Sequence, residues 1–344
     1  MTKTIDQTHA LQRVSVSAVV PVYAGKAYLE RLIGGFETLR SQWAADGAPL
    51  ELAEVILVDD CGTDGSAELA DELAATHAWV VSLHLSRNSG QHAATIAGIL
   101  HSSGDWVVTL DEDLQHPPER IPDMLRKAVE AGGDIIYAQA KSSVHQTLSR
   151  DMSSRSTKRL IAWLSGNKNI SYFNSFRLVR GSVARAAASV CSHDTYFDIV
   201  LSWFTERVHP LAMDLKDERY IRTGKSGYRI RTLISHARRL VFTGQLKILR
   251  LGALLGLTVV VVSMFATLGI LVSKILYPSS MAVVGWTSLF LTVSFFGGLI
   301  TLMLGLVMEY MSTLMLRSNG RPLFFTVDRA SDRIVRDYFQ AAAR

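Results

Sequence analysis

Five short apolar runs alternate with four helical stretches in the first 140 residues, and that alternation constrains the fold of this chain more than any other feature. The strand-like runs are Val14 to Pro21, Val55 to Asp59, Trp79 to Leu85, Trp106 to Leu110 and Asp134 to Gln139. Ala27 to Gln42, Ala67 to Thr76, Gln91 to Ser102 and Pro117 to Ala131 read as the helices between them. The last opens on Pro117-Pro118, which a first helical turn tolerates. Strands separated by helices are what βαβ crossovers require, so the sequence predicts an α/β fold with a mainly parallel sheet.

Ligands of open α/β sheets collect beyond the carboxyl ends of the strands, and two of these runs end in paired acids. Asp59-Asp60 closes the second and leads into the turn Gly62-Thr63-Asp64-Gly65-Ser66, where Asp64 or Ser66 is placed to cap the next helix. Asp111-Glu112-Asp113 follows the fourth. Residues i and i+2 of an extended chain share a face, so Asp111 and Asp113 converge while Glu112 points away. Two carboxylates at that range repel by about 4 kcal/mol at an effective dielectric near 20, a cost that a divalent cation or a proton removes. Mg²⁺ or Mn²⁺ suits an all-oxygen site of one or two carboxylates completed by water and phosphate oxygens. A glycine-rich phosphate loop is absent from the sequence, so phosphates fall to the metal and to Arg or Lys.

At 344 residues and 48% hydrophobic, the chain has room for one α/β domain and a smaller apolar element. Leu251 to Val272 and Val283 to Met308 carry no charge, and at about 22 and 26 residues each is long enough to cross roughly 30 Å of hydrocarbon as a helix. They predict a transmembrane hairpin over 251–311. Arg238, Arg239, Lys247 and Arg250 precede it and Arg317 and Arg321 follow it, against Lys274 alone in the connection, which places both termini in the cytoplasm. Met1 to Arg13 lacks the apolar core of a signal peptide. From Arg219 to Arg250 every charged side chain is basic, and Ile230, Leu233, Ile234, Leu240, Val241 and Ile248 recur at helical spacing. Such a segment is expected to lie as an amphipathic helix among anionic lipid headgroups, and beside a hairpin it does not point to nucleic acid. Cys61 and Cys191, far apart in sequence, suggest no disulfide framework.

Val20-Pro21-Val22-Tyr23, Val58-Asp59-Asp60, Arg87-Asn88-Ser89-Gly90-Gln91-His92 and Asp111-Glu112-Asp113-Leu114-Gln115-His116-Pro117-Pro118-Glu119 occur in that order. In this the chain resembles inverting family 2 glycosyltransferases with a GT-A fold, and within them bacterial polyprenyl-phosphate glycosyltransferases, which load a sugar from a nucleotide onto undecaprenyl phosphate. Ser175-Phe176-Arg177-Leu178, Arg222-Thr223-Gly224-Lys225-Ser226-Gly227-Tyr228, the two uncharged runs, Glu309-Tyr310 and Arg321-Pro322 carry the resemblance over roughly Val14 to Asp328.

The resemblance implies a metal-dependent enzyme of the bacterial inner membrane. It would be multi-pass with a cytoplasmic catalytic domain, using a nucleotide-sugar donor, with UDP the expected nucleotide, and a polyprenyl phosphate acceptor. Pro21, Tyr23 and Asp59, with Asp60 beside it, would cradle base and ribose. Asp111 would touch the nucleotide near the metal, and Asp113 and Gln115 would reach the Mg²⁺ or Mn²⁺ that bridges the diphosphate. Asp111, Asp113 and Arg177 would carry catalysis. Arg177, Arg222 and Lys225 would hold the acceptor phosphate or the leaving diphosphate, with Lys141 or Arg150 in place of an arginine the family carries after the strand matching Asp134 to Gln139. The family also carries Asn-Glu after the tyrosine where this chain has Ala24-Gly25, and often a small residue where it has Glu112.

The expected organisation is a flexible N-terminus (1–13), a GT-A catalytic domain (14–218), a basic juxtamembrane segment (219–250), the hairpin (251–311) and a cytoplasmic C-terminal tail (312–344). Two alternatives stay open: a family 2 transferase that uses a hydroxyl acceptor, with Asp198 as its base, and a membrane scaffold that binds nucleotide without turnover. The sequence leaves the identity of the sugar open, and a homo-oligomer also.

Overall fold

The computed structural model describes residues 13–140, 168–191, 195–213, 247–277, 286–318 and 331–342. In chain order the elements are β1 (Val14–Val22), α1 (Leu29–Ala45), β2 (Leu50–Asp59), α2 (Ser66–Thr76), β3 (Val80–His84), α3 (Gln91–His101), β4 (Trp106–Thr109), α4 (Ile121–Ala131) and β5 (Ile135–Ala140). They continue with β6 (Arg177–Arg180), α5 (Gly181–Val190), α6 (Phe197–Phe204), β7 (Val208–Met213), α7 (Lys247–Leu276), α8 (Trp286–Ser318) and α9 (Asp332–Ala341).

Local sequence accounts for these elements directly. The valine-rich β1 is buried along nearly its whole length, the composition of a central strand covered on both faces. Helix α4 buries Ile121, Met124, Leu125, Ala128 and Val129, one stripe at helical spacing. It ends at Gly132, whose φ of 61° is the left-handed conformation that glycine adopts at low cost.

The strands form one seven-stranded sheet in the order β3-β2-β1-β4-β6-β5-β7. β1, β2, β3 and β4 run parallel, as do β5 and β7. β6 runs antiparallel to both β4 and β5, so the expected mainly parallel sheet is a mixed one. Helices cover both faces. Leu29, Phe36, Ala70, Leu125, Val335 and Phe339 bring α1, α2, α4 and α9 into one apolar core. Ala94, Ile99, Ala184, Val200 and Leu201 bring α3, α5 and α6 into the other.

The C-terminal helix α9 is fastened by a buried charge cluster. Arg180 Nη2 donates to both oxygens of Asp332 at 2.7 and 2.9 Å, and its Nε donates to Asp134 Oδ1 at 3.0 Å. The guanidinium also stacks 4.5 Å above the Trp106 ring. Residues 332–341 therefore pack against the sheet's apolar core through Val335 and Phe339.

The expected transmembrane hairpin is corrected. The helices α7 and α8 pack side by side and leave Phe265, Ile275, Phe295 and Tyr310 exposed. Over the described residues, however, no helix is long and apolar enough to cross a membrane. With the hairpin go the multi-pass inner-membrane localisation and the topology built on it, the docking on anionic membrane lipids and the polyprenyl phosphate acceptor. The polyprenyl-phosphate type of the resemblance is corrected on the same ground. Most of the basic segment 219–250 lies outside the described residues.

Candidate active site

Strands β1 and β2 end together, with Val22 paired to Asp59, and β4 stops on the same edge beside Val19, where Thr109 pairs. The chain winds outward from β1 through β2 to β3, then crosses back through α3 to place β4 on the other side of β1. The strand order therefore reverses between β1 and β4, and a crevice for ligand opens beyond their carboxyl ends. Pro21 is buried at its base, and the Tyr23 ring stands 48% exposed at its edge.

The β2 side is built from Asp59 and Asp60, both buried. Asp59 Oδ1 accepts the Gly62 amide at 2.9 Å, and Oδ2 lies 3.2 Å from His84 Nδ1. His84 reaches on through Nε2 to Asp71 at 2.9 Å, and the bonds to Asp71 and then to Asp59 raise its pKa above the ordinary histidine value. Asp60 takes the Ser89 and Gly90 amides, at 2.6 and 2.8 Å, on its two oxygens, and so holds the loop that starts α3. Gly62 has to be glycine: a Cβ there would meet the Tyr23 carbonyl oxygen at 2.5 Å.

On the β4 side Asp111 is held from two directions, by Gln91 Nε2 at Oδ1 and by Ser175 Oγ at Oδ2, the latter at 2.8 Å. The Asp111 amide donates to His116 Nδ1 at 3.0 Å, which requires that nitrogen to be unprotonated. Burial lowers the His116 pKa against the pull of Asp111 and Asp113, in keeping with an Nδ1 that accepts. Asp113, 9% exposed, accepts the Gln115 amide at 3.3 Å. Between them Leu114 has φ 64°, and Cys61, just after the other acidic pair, has φ 57°. Both are left-handed positions that non-glycine residues seldom take, and such strain gathers at functional sites.

Asp111 and Asp113 both lie just beyond the end of β4, and both offer only oxygen donors. Among the described residues no group of three or more His, Cys, Asp or Glu side chains could hold a metal unaided. An ion here would need diphosphate oxygens and water to complete its shell, which is how Mg²⁺ is ordinarily bound.

Next to this crevice lies a buried polar cluster. Arg177 on β6 pairs with Thr109 of β4 on one side and Tyr137 of β5 on the other. Its Nη1 donates to Asp198 Oδ1, which also accepts the Tyr137 hydroxyl at 2.6 Å. The guanidinium stacks 4.8 Å from the Phe197 ring. Burial opposes the charge on Arg177, but Asp198, Tyr137 and Tyr196 together outweigh it and raise the pKa; burial, then Asp198, drives Tyr137 well above its ordinary value. Asp198 opens α6 from its first turn, where the helix dipole favours a carboxylate. Both bonds fall on Oδ1, leaving Oδ2 outside them.

A model of the family described as glycosyl transferase family 2 matches residues 17–188, half of the 344-residue chain and the span that builds the crevice. The chain belongs to glycosyl transferase family 2. Solved structures similar to this family 2 chain include TarS 1-349 of S. aureus in complex with UDP, at 15% identity over 59% of each chain and a TM-score of 0.41. Mannosyl-3-phosphoglycerate synthase from Rubrobacter xylanophilus matches at 14% identity over 67% of this chain and 72% of its own, TM-score 0.45. Glucosyl-3-phosphoglycerate synthase from Mycobacterium tuberculosis, in complex with Mn²⁺, UDP-glucose and phosphoglyceric acid, matches at 14% over 67% and 78%, TM-score 0.43. The family 2 chain thus spans 59% of the length of the TarS fragment.

The expected residues of this family 2 site divide into three groups. Tyr23, Asp59, Asp60, Asp111, Asp113 and Gln115 come together at the ends of β1, β2 and β4. Arg177 is buried and committed to Asp198. Lys141, Arg150, Arg222 and Lys225 lie outside the described residues. Gln91, Ser175 and His116 stood in the quoted motifs without a role, and the structure places all three on Asp111. Tyr137, in an apolar strand, gave no signal that its hydroxyl would meet Asp198.

Proposed function

We propose that this chain moves a sugar from a nucleotide-sugar donor to a hydroxyl acceptor, with Asp198 as the general base. Membership of family 2 supports the donor half of this reading. The acceptor half rests on one observation: Arg177 and Tyr137 both bond Oδ1 of Asp198 and so orient a carboxylate whose Oδ2 carries neither bond. A hydroxyl is a poor nucleophile until its proton leaves, and a carboxylate fixed in this way is suited to taking it.

The step is a single in-line displacement with inversion. The acceptor hydroxyl gives its proton to Asp198 Oδ2 as its oxygen bonds the anomeric carbon, and the bond from that carbon to the diphosphate oxygen breaks with its electron pair on the departing nucleoside diphosphate. Arg177 holds the carboxylate in place for this task. Asp111 and Asp113 would hold Mg²⁺ or Mn²⁺, and the ion supplies charge stabilisation at the diphosphate. Pro21, Tyr23 and Asp59 are proposed to seat the nucleoside.

The test is turnover. Purified chain is incubated with UDP- and GDP-sugars and a panel of sugar and polyol acceptors, and acceptor-dependent release of nucleoside diphosphate is measured. Release that rises with a hydroxyl acceptor and is lost in Asp198→Asn supports the reading; release unaffected by Asp198→Asn opposes it.

A further inference from the structure

We infer that Glu112 is a positioning residue of the donor site, whose carboxylate ties the β1 loop to the β4 loop across the crevice and fixes the backbone at Tyr23 and Ala24 for nucleotide binding. The inference rests on the donor reading above.

Glu112 Oε2 accepts the Tyr23 amide at 2.9 Å, and Oε1 accepts the Ala24 amide at 3.1 Å. One carboxylate thus takes two consecutive backbone N–H groups, a charge-assisted pair that fixes orientation as well as distance. Residue 25 must then make room. A Cβ on Gly25 would fall 2.3 Å from Glu112 Oε2 and 2.9 Å from Cδ, so the glycine and the glutamate are matched. The Gly25 carbonyl in turn accepts the Tyr28 and Leu29 amides at 2.8 and 3.1 Å, which starts α1. The tie therefore governs the path of the chain from the end of β1 to the first turn of α1, with the exposed Tyr23 ring on that path.

The tie joins two loops above the core rather than two core elements. Val22 and Leu110, at the ends of the strands beneath, are buried by apolar contacts that do not involve Glu112. Its loss should therefore disturb the crevice more than the fold. Gly25 and Glu112, two of the three places where the sequence departs from the pattern of the family it resembles, meet in one contact.

The test uses Glu112→Gln, Gly25→Ala and the double variant Gly25→Ala/Glu112→Ala. Glutamine keeps the shape but presents an NH₂ group to one of the two amides. UDP and GDP binding are measured by calorimetry with Mn²⁺ present, donor KM and kcat by turnover, and amide exchange at Tyr23 and Ala24 by mass spectrometry. Glu112→Gln is expected to weaken nucleotide binding and raise donor KM by about tenfold or more, the usual consequence of an unsatisfied amide. The change in kcat should stay below about threefold, with faster exchange at both amides. Gly25→Ala should act alike, and the double variant should be no worse than the more impaired single variant, the non-additivity of two residues in one contact.

Wild-type binding and KM in the Gln variant would overturn the inference while leaving the donor reading standing. A loss confined to melting temperature, with donor constants unmoved, would make Glu112 a structural residue only and also overturn it. Wild-type chain that binds neither nucleotide would overturn the donor reading and the inference together.

Discussion

The Arg177 guanidinium and the Asp198 carboxylate meet where solvent scarcely reaches, with 6% and 5% of their residue surfaces exposed. Removing one charge of such a pair strands the other. Arg177→Met should cost about 3–5 kcal/mol in urea unfolding, whereas Asp198→Asn, which keeps an acceptor for Tyr137, should cost less. Equal losses below about 1 kcal/mol would mean that the pair does not hold the carboxylate.

Asp113→Asn removes one carboxylate charge from the acids just beyond the end of β4. Turnover should fall by at least about 10²-fold, with the fold intact and the Mn²⁺ concentration for half-maximal rate shifted upward. A near-wild-type rate and an unchanged Mn²⁺ dependence would overturn the proposal that Asp113 holds a metal ion.

His84 lies between Asp71 and Asp59, and those carboxylates raise its pKa. Protonation is thus favoured in the folded chain over the unfolded one. The stability it contributes is fully present below the unfolded pKa of about 6.5 and is lost as pH rises through the higher folded value. With 42% of the side chain exposed, solvent screening keeps the effect small. A resonance of His84 should titrate above 6.5, and His84→Gln should flatten the pH dependence of melting across that window. Titration at or below the ordinary value would refute the bridge.

The crevice beyond β1, β2 and β4 was legible because β2 and β4 are apolar runs that stop at acids, and sheet geometry says where such ends meet. The i, i+2 alternation assumed an extended chain, whereas β4 ends at Thr109 and Glu112 and Asp113 lie in a turn. That alternation could not say what Glu112 would meet, since Tyr23 and Ala24 are almost 90 residues away in sequence. Strand β6 was hidden for a different reason. It has four residues, two of them arginines, and its burial depends on Asp198, Asp134 and Asp332 from other elements. The uncharged runs after Arg250 were read by length and charge alone, and over the described residues they do not amount to a span.

Arg180 joins Asp134 at the start of β5 to Asp332 at the start of α9. Asp332→Ala should therefore destabilise the α/β unit itself, though by less than the roughly 3–5 kcal/mol of a fully stranded buried charge, because Asp134 stays on Arg180. Differential exchange should show the loss spreading from α9 into α4, where Arg126 covers the Phe339 ring at 4.9 Å. A change confined to α9, with unaltered global unfolding, would contradict that coupling.

The most direct test of the proposed reaction is kcat for nucleotide-sugar-dependent transfer to a hydroxyl acceptor, compared between wild-type chain and folded Asp198→Asn. Loss of a general base predicts a fall of about 10²- to 10⁴-fold with donor KM little changed. A fall of less than about tenfold in a variant of native stability would contradict Asp198 as the base and the hydroxyl-acceptor mechanism built on it.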